Sequence, residues 1–132
     1  MSVRVLPSEY TVPKGYARGV VAGDFVFLSG VGGIDPATDT VLRTMAEQAA
    51  MIVKRIEGSL KLSGSSIENI VKIVTYVTDL KLYREQGVAI IKKALPARAG
   101  TLVCVKELAR DGMMIEVDVT ALFAGGAAKP PH

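Results

Sequence analysis

Glu116 and Asp118 stand two positions apart in the segment Met114-Ile-Glu-Val-Asp-Val-Thr-Ala-Leu122. In a strand, that spacing turns both carboxylates and Thr120 to one side, and Ile115, Val117, Val119 and Ala121 to the other. The pair fits a polar face turned to water. It also fits the wall of a wet pocket or subunit interface, where partial burial raises a carboxyl pKa and makes it a usable acid or base. Arg98 lies in Pro96-Ala-Arg98-Ala-Gly100, where proline fixes the approach of the chain and Gly100 leaves room for a ligand near the backbone. A guanidinium held at a helix-to-strand junction can clamp a carboxylate through two parallel N–H···O bonds, although the spacing taken alone is that of an ordinary surface-loop arginine. Tyr16, between Gly15 and Ala17, either reaches a pocket with its hydroxyl or packs in a core or interface. Ser29 ends an apolar run beside Gly30-Val31-Gly32-Gly33. With no histidine to take its proton, it reads as a hydrogen-bond donor and not a nucleophile. The glycine cluster signals special backbone angles or a close approach to the main chain. Cys104, within an apolar run, reads as an inert small hydrophobe.

Composition narrows the chemistry further. The 132 residues include one cysteine and one histidine, and that histidine is the final residue. Such a count argues against a disulfide framework, a metal site, and Ser-His-Asp or Cys-His catalysis. The net charge of +3 comes from 16 Lys and Arg against 13 Asp and Glu. The basic residues are scattered, and the densest pairs, Lys54-Arg55 and Lys92-Lys93, read as solvated helix faces. Aromatic residues are 5% of the chain with no tryptophan, too few for a base-stacking platform, so nucleic-acid binding is disfavoured. A modest positive field favours small anionic substrates. No apolar run approaches the ~20 residues of a membrane span, and the N-terminus lacks the apolar core of a secretory signal, so a cytoplasmic protein without membrane contact is expected. At 49% hydrophobic residues, a chain this small carries surplus apolar surface, which belongs at a subunit interface.

The elements that position these residues follow from periodicity and punctuation. Val20-Val21-Ala22 and Phe25-Val26-Phe27-Leu28, joined by Gly23-Asp24, predict a β-hairpin over 17–29. Thr44-Met-Ala-Glu47 predicts a capping box opening a helix with the apolar stripe Met45, Ala49, Ile52, Val53, Ile56 and Leu60, stopped by Gly64. Ser65-Ser-Ile-Glu68 predicts a short capped turn. Residues 70–78, rich in β-branched side chains, predict a strand covered on both faces. A second helix over 83–95 closes at Pro96, with Gly87 a weak point costing about 1 kcal/mol against alanine. Strands over 101–105 and 114–122 follow, the second after the turn Arg110-Asp111-Gly112. This order predicts one α+β domain over 1–123, a single mixed sheet with both helices on one face, and a disordered tail over 124–132.

Together these segments resemble the Rid family, also called YjgF or L-PSP, of reactive-intermediate deaminases. The resemblance spans about residues 12–122 and is carried by Gly15-Tyr16 through Ser29-Gly30, Gly33-Ile-Asp-Pro36, Glu47-Gln48, Gly64 through Lys72, Thr75 through Leu80, Pro96-Ala-Arg98 and Ile115-Glu-Val-Asp-Val119. No single motif decides it; their order and spacing do. The resemblance implies a chorismate-mutase-like fold that forms a homotrimer with three sites in the clefts between subunits. It implies hydrolysis of small anionic enamines and imines, such as 2-aminoacrylate, to a 2-keto acid and ammonia without metal or organic cofactor. Arg98 falls on the family arginine that binds the substrate carboxylate, and Glu116 on the acid that positions or activates water. Tyr16 and Ser29 fall on pocket positions, and Gly30 on a backbone contact near the substrate.

The sequence departs from the family pattern in four places. The segment between the second helix and Pro96 is shorter than usual. Gly87 stands where an asparagine that reaches the pocket is usual, and Val31 where a glutamine is common. Two extra residues around Ala99-Gly100 separate Arg98 from the next strand, so the cysteine often found after the arginine is absent. These departures imply a wider pocket and make a larger, 2-aminomuconate-like substrate an alternative. They leave open a ligand-binding or regulatory protein without turnover. An RNA-acting translation inhibitor, a further reading attached to the family, is opposed by the scattered charge and missing histidine.

Overall fold

The computed structural model describes residues 3–124, so the expected tail lies, apart from Ala124, outside the described residues. A short strand, β1 (Val3–Val5), pairs antiparallel with β2 (Gly19–Ala22), which turns through Gly23-Asp24 into β3 (Phe25–Leu28). The hairpin matches expectation; β1 is too short and exposed to carry a sequence signal. The chain continues as β4 (Val31–Gly32), then β5 (Ile34–Asp35) and β6 (Thr40–Val41), which pair as a separate ribbon.

Helix α1 (Met45–Ser63) opens on the expected capping box, the Thr44 hydroxyl accepting from the Glu47 N–H and the Glu47 carboxylate accepting from the Thr44 N–H. It stops at Gly64, whose φ of 89° is open to glycine at no steric cost. A 3₁₀ turn follows at Ile67–Asn69 in the expected Ser65–Glu68 region, and its N-cap residue, Ser66, makes no side-chain cap hydrogen bond. Then come β7 (Ile70–Val77), the second helix, β8 (Ala99–Cys104) and β9 (Ile115–Leu122). The second helix begins earlier than expected because the Asp79 carboxylate accepts from the Leu82 N–H. It runs as α2 (Leu80–Leu82), a π-turn (Tyr83–Gly87) and α3 (Val88–Ala94). Gly87 packs against α1: a Cβ there would lie 2.8 Å from the Tyr83 ring and 3.0 Å from the Met45 sulfur.

The main sheet has the order β1-β2-β3-β9-β7-β8, with β4 also on β9 and only the β7–β8 pair parallel. Ile115, Val117, Val119 and Ala121 of the central strand β9 are buried against the Met45, Ala49, Ile52, Ile56 and Leu60 stripe of α1. Burying each larger aliphatic side chain contributes about 1.5–3 kcal/mol, which fixes the helix on this face. Gly33 permits the close approach, since a Cβ there would lie 2.2 Å from the Cβ of Gln48 and 2.6 Å from its Cα. Gln48, fully buried, donates through Nε2 to the carbonyls of Leu42 and Gly112 and accepts through Oε1 from the Met114 N–H, so the helix start and the approach to β9 are locked together.

The opposite face is bare. Phe25, Phe27 and Leu122 are exposed on it, as is Val103 on β8, whereas Leu102, paired with Thr75, is exposed on the helix side. Three expectations change here. β7 is not covered on both faces, because Thr75 and Val77 are buried while Lys72 is exposed. Cys104 is not buried, because every residue of the outer strand β8 is exposed in the single chain. Ala99 and Gly100 are not an insertion before the strand; they pair with Lys72 and Ile73 as its first residues. Among the described residues no helix is long and apolar enough to cross a membrane.

Candidate functional site

The alternation along β9 sends Glu116 and Asp118 to the bare face. Phe27 on β3 faces Thr120, whereas Val31 on β4 faces Val117. Four steps on one strand therefore match three on the other, and the extra residue makes a β-bulge at Ser29-Gly30. The bulge presses Gly30 onto both carboxyls: a Cβ there would lie 2.5 Å from Glu116 Oε2 and 3.0 Å from Asp118 Oδ1. Glycine is thus required by close approach and not by backbone angle. From β7, the Tyr76 hydroxyl donates to Asp118 Oδ2 at 3.1 Å. Burial holds the Glu116 carboxyl above its ordinary value, the Asp118 charge adds to that, and Arg55 opposes it. A carboxyl so placed keeps its proton to higher pH than an ordinary glutamate, which suits it to acid–base work.

Behind the bulge, Tyr16, Ser29 and Gly30 line a cavity of about 10 Å³ together with Glu9, Arg18 and Arg55, space for about one water molecule. Tyr16 is exposed at its rim. Ser29 is a donor as expected, but to the backbone carbonyl of Ala17, so only its lone pairs remain for a ligand. Arg55 overturns its reading as a solvated residue, being only 8% exposed. Its Nη1 donates to the Gly32 carbonyl at 2.8 Å, and its Nε and Nη2 donate to Glu9 Oε1 at 3.2 and 3.0 Å. Arg18 donates through Nε to Ser59 Oγ at 2.6 Å and places Nη2 3.6 Å from Glu9 Oε2. One carboxylate between two guanidiniums leaves the cavity wall with surplus positive charge. A sequence signal for this existed: Gln48, Arg55, Ser59 and Ser63 interleave with Ile52 and Ile56 on the buried stripe of α1.

Arg98 and Gly100 lie elsewhere. Arg98 precedes β8 and donates through Nε to the carbonyl of Ile70, the first residue of β7, whereas Glu116 pairs with Tyr76 near the far end of β7. Six strand residues place the two about 20 Å apart, so within one chain the expected partners do not meet. Arg98 also donates through Nη1 to the Ala97 carbonyl at 3.0 Å and through Nη2 to the Glu68 carbonyl at 3.0 Å. Three of the five guanidinium N–H groups are thereby used, and one remains on each terminal nitrogen. Arg98 and Gly100 line an open groove of about 720 Å³ with Thr75, Ile91, Leu95 and Leu102.

The family described as Endoribonuclease L-PSP matches residues 8–123. A RutC family protein of Saccharolobus solfataricus is 30% identical over 110 residues, covering 80% of this chain and 85% of that one. One from Aquifex aeolicus is 39% identical over 75 residues, 56% of this chain and 60% of the relative's length. The Escherichia coli protein named "Putative reactive intermediate deaminase TdcF" is 29% identical over 65 residues, 49% of this chain and 50% of that one. Among solved structures, RidA from the Antarctic bacterium Psychrobacter superposes with a TM-score of 0.82 at 23% identity, covering 90% of this chain and 98% of that chain. Yeast Mmf1 gives 0.82 at 23% identity, covering 92% and 98%. With the family match running from the Glu9 arm through the whole of β9, the chain belongs to the L-PSP family, also known as Rid or YjgF.

Proposed function

We propose that this protein is a cofactor-independent hydrolase of enamine and imine intermediates, of the 2-aminoacrylate type or the larger 2-aminomuconate type, working as a homotrimer. The observation that carries this reading is Glu116, half-buried against Gly30 with its carboxyl held above its ordinary value by burial. Arg98 complements it from the other end of the sheet, its guanidinium preset by three backbone carbonyls and left with two N–H groups for a carboxylate. Two half-sites about 20 Å apart, Glu116 on the bare sheet face and Arg98 at the β8 edge, are completed when a neighbouring copy supplies the missing half. Exposed Phe25, Phe27 and Leu122 provide the apolar surface such an interface requires.

In this mechanism Arg98 of the neighbouring copy holds the substrate carboxylate, which removes much of the orientational cost of attack. The enamine carbon takes a proton and becomes the imine. Glu116, acting through one water, accepts a proton as the water oxygen bonds to the imine carbon and the C=N electron pair passes to nitrogen. The tetrahedral adduct then transfers its hydroxyl proton, by way of Glu116, to nitrogen; the C–N bond breaks, ammonia leaves and the keto acid remains. Free imines hydrolyse unaided, so a sparse site suffices.

The test is ammonia release from enzymatically generated imines, short imino acids and aminomuconates alike. The wild type should accelerate release, and Arg98→Lys should lose about 100-fold because a point charge cannot replace the two-pronged fork. Sedimentation should give three times 14.0 kDa. A stable monomer, or binding without release across the panel, would overturn the reading.

A further inference from the structure

Asp118 has no part in the chemistry above, yet it sits beside the reacting acid. Both carboxyls crowd the same glycine, since a Cβ on Gly30 would meet Glu116 Oε2 at 2.5 Å and Asp118 Oδ1 at 3.0 Å. Tyr76 is the residue paired with Glu116 across the ladder, but its hydroxyl donates to Asp118 Oδ2 instead. The hydroxyl thus anchors the negative charge of Asp118 next to Glu116 and leaves Glu116 without that donor. The same bond is the chief cause of the raised pKa of Tyr76, which keeps the tyrosine a donor throughout the working pH range.

We propose that Asp118, fixed by Tyr76, is a positioning residue that keeps a proton on Glu116 between turnovers, so that Glu116 starts each cycle as the acid that protonates the enamine carbon. The assignment rests on the activity proposed above and supplies its missing first proton. Protonated Glu116 gives its proton to the enamine carbon as the C=C pair forms the new C–H bond and the nitrogen lone pair makes the C=N bond. As carboxylate it recovers a proton from the attacking water. It then gives that proton to the leaving nitrogen and takes the hydroxyl proton of the adduct, which restores the starting state with every proton accounted for. The titratable and charged groups facing Glu116 are Asp118 on its own strand, the neutral Tyr76 from β7 and Arg55 from α1 across the bulge; in the proposed trimer Arg98 of the neighbouring copy joins them. Arg55 opposes the effect of Asp118; the neighbouring Arg98 adds to that opposition by its charge, and the substrate carboxylate offsets Arg98 when bound.

The experiment is a ¹³C carboxyl NMR titration of the full-length protein labelled at glutamate, with the Glu116 resonance identified by its loss in Glu116→Gln. Asp118→Asn should lower the Glu116 midpoint by about one pH unit, and Tyr76→Phe should lower it by less. The pH limb of imine turnover should move with it. Tyr76→Phe keeps the ring and gives an independent reading if the asparagine variant does not fold. A midpoint unchanged in either folded variant overturns the assignment, whatever the activity. A lowered midpoint in a protein without imine turnover upholds the pair and overturns the activity.

Discussion

The two ends of β7 contrast in what encloses them. Near Tyr76, Glu116 is backed by the chain itself: the bulge at Gly30 presses on its carboxyl, and behind the bulge Arg55 from α1 is paired with Glu9. Near Ile70, Arg98 stands just before an outer strand whose residues are all exposed, beside an open groove. At the enclosed end, a side chain contributes to stability and chemistry together. At the open end the two separate: a residue can matter greatly for turnover and little for folding of the single chain.

The sharpest way to break this contrast is to remove one arginine from each end. Arg55→Ala leaves Glu9 nearly buried with Arg18 at 3.6 Å, and should cost about 3–4 kcal/mol in urea unfolding. Arg98→Ala frees carbonyls that water can reach, and should cost about 1 kcal/mol at the same protein concentration. Equal losses would erase the distinction. The glycines give a smaller, steric version of the test. Gly33→Ala drives a Cβ to within 2.6 Å of the Gln48 Cα, and should cost about 2–3 kcal/mol. Gly100→Ala meets nothing nearer than 3.6 Å, and should change stability by less than about 0.5 kcal/mol.

The smallest effect is one of sign. The Glu116 carboxyl is raised on folding, chiefly by burial. Well below its ordinary range both folded and unfolded states hold the proton, so Glu116→Gln should leave stability unchanged there. As pH rises past the ordinary glutamate value toward the raised one, the wild type increasingly carries the cost of that shift and the glutamine variant does not. Thermal melts at neutral pH should therefore show Glu116→Gln as the more stable protein, with the gain vanishing in acid. A loss at neutral pH would mean that the carboxylate is stabilised by its surroundings.

The same contrast explains what could be read from the sequence. The hairpin, the Thr44 capping box and the split faces of β9 are local patterns, and each formed where its spacing placed it. Gly30 and Glu116 fell together because family order aligned them, and the bulge supplies the physical reason. Arg55 was misread because its burial depends on Glu9, 46 positions away, and no local period reports that distance. Cys104 was misread because an apolar run looks alike whether it is already covered or stands at an uncovered edge. The separation of Arg98 from Glu116 follows from strand direction and register, which set Arg98 at the Ile70 end of β7 and Glu116 beside Tyr76 near the other, and periodicity does not encode this.

The long reach between Glu9 and Arg55 also sets an order of events. Glu9 emerges early in synthesis, but its partner follows 46 residues later, and Glu116 arrives only near the end of the chain. The cavity behind the bulge is thus complete by Ser59, while the acid in front of it waits for nearly the whole sequence. Loops that long carry the largest entropic cost of closure and are made late in collapse. A half-made chain can hold its hairpin, its first helix and every residue that lines the small chamber, yet it has no acid to set beside it.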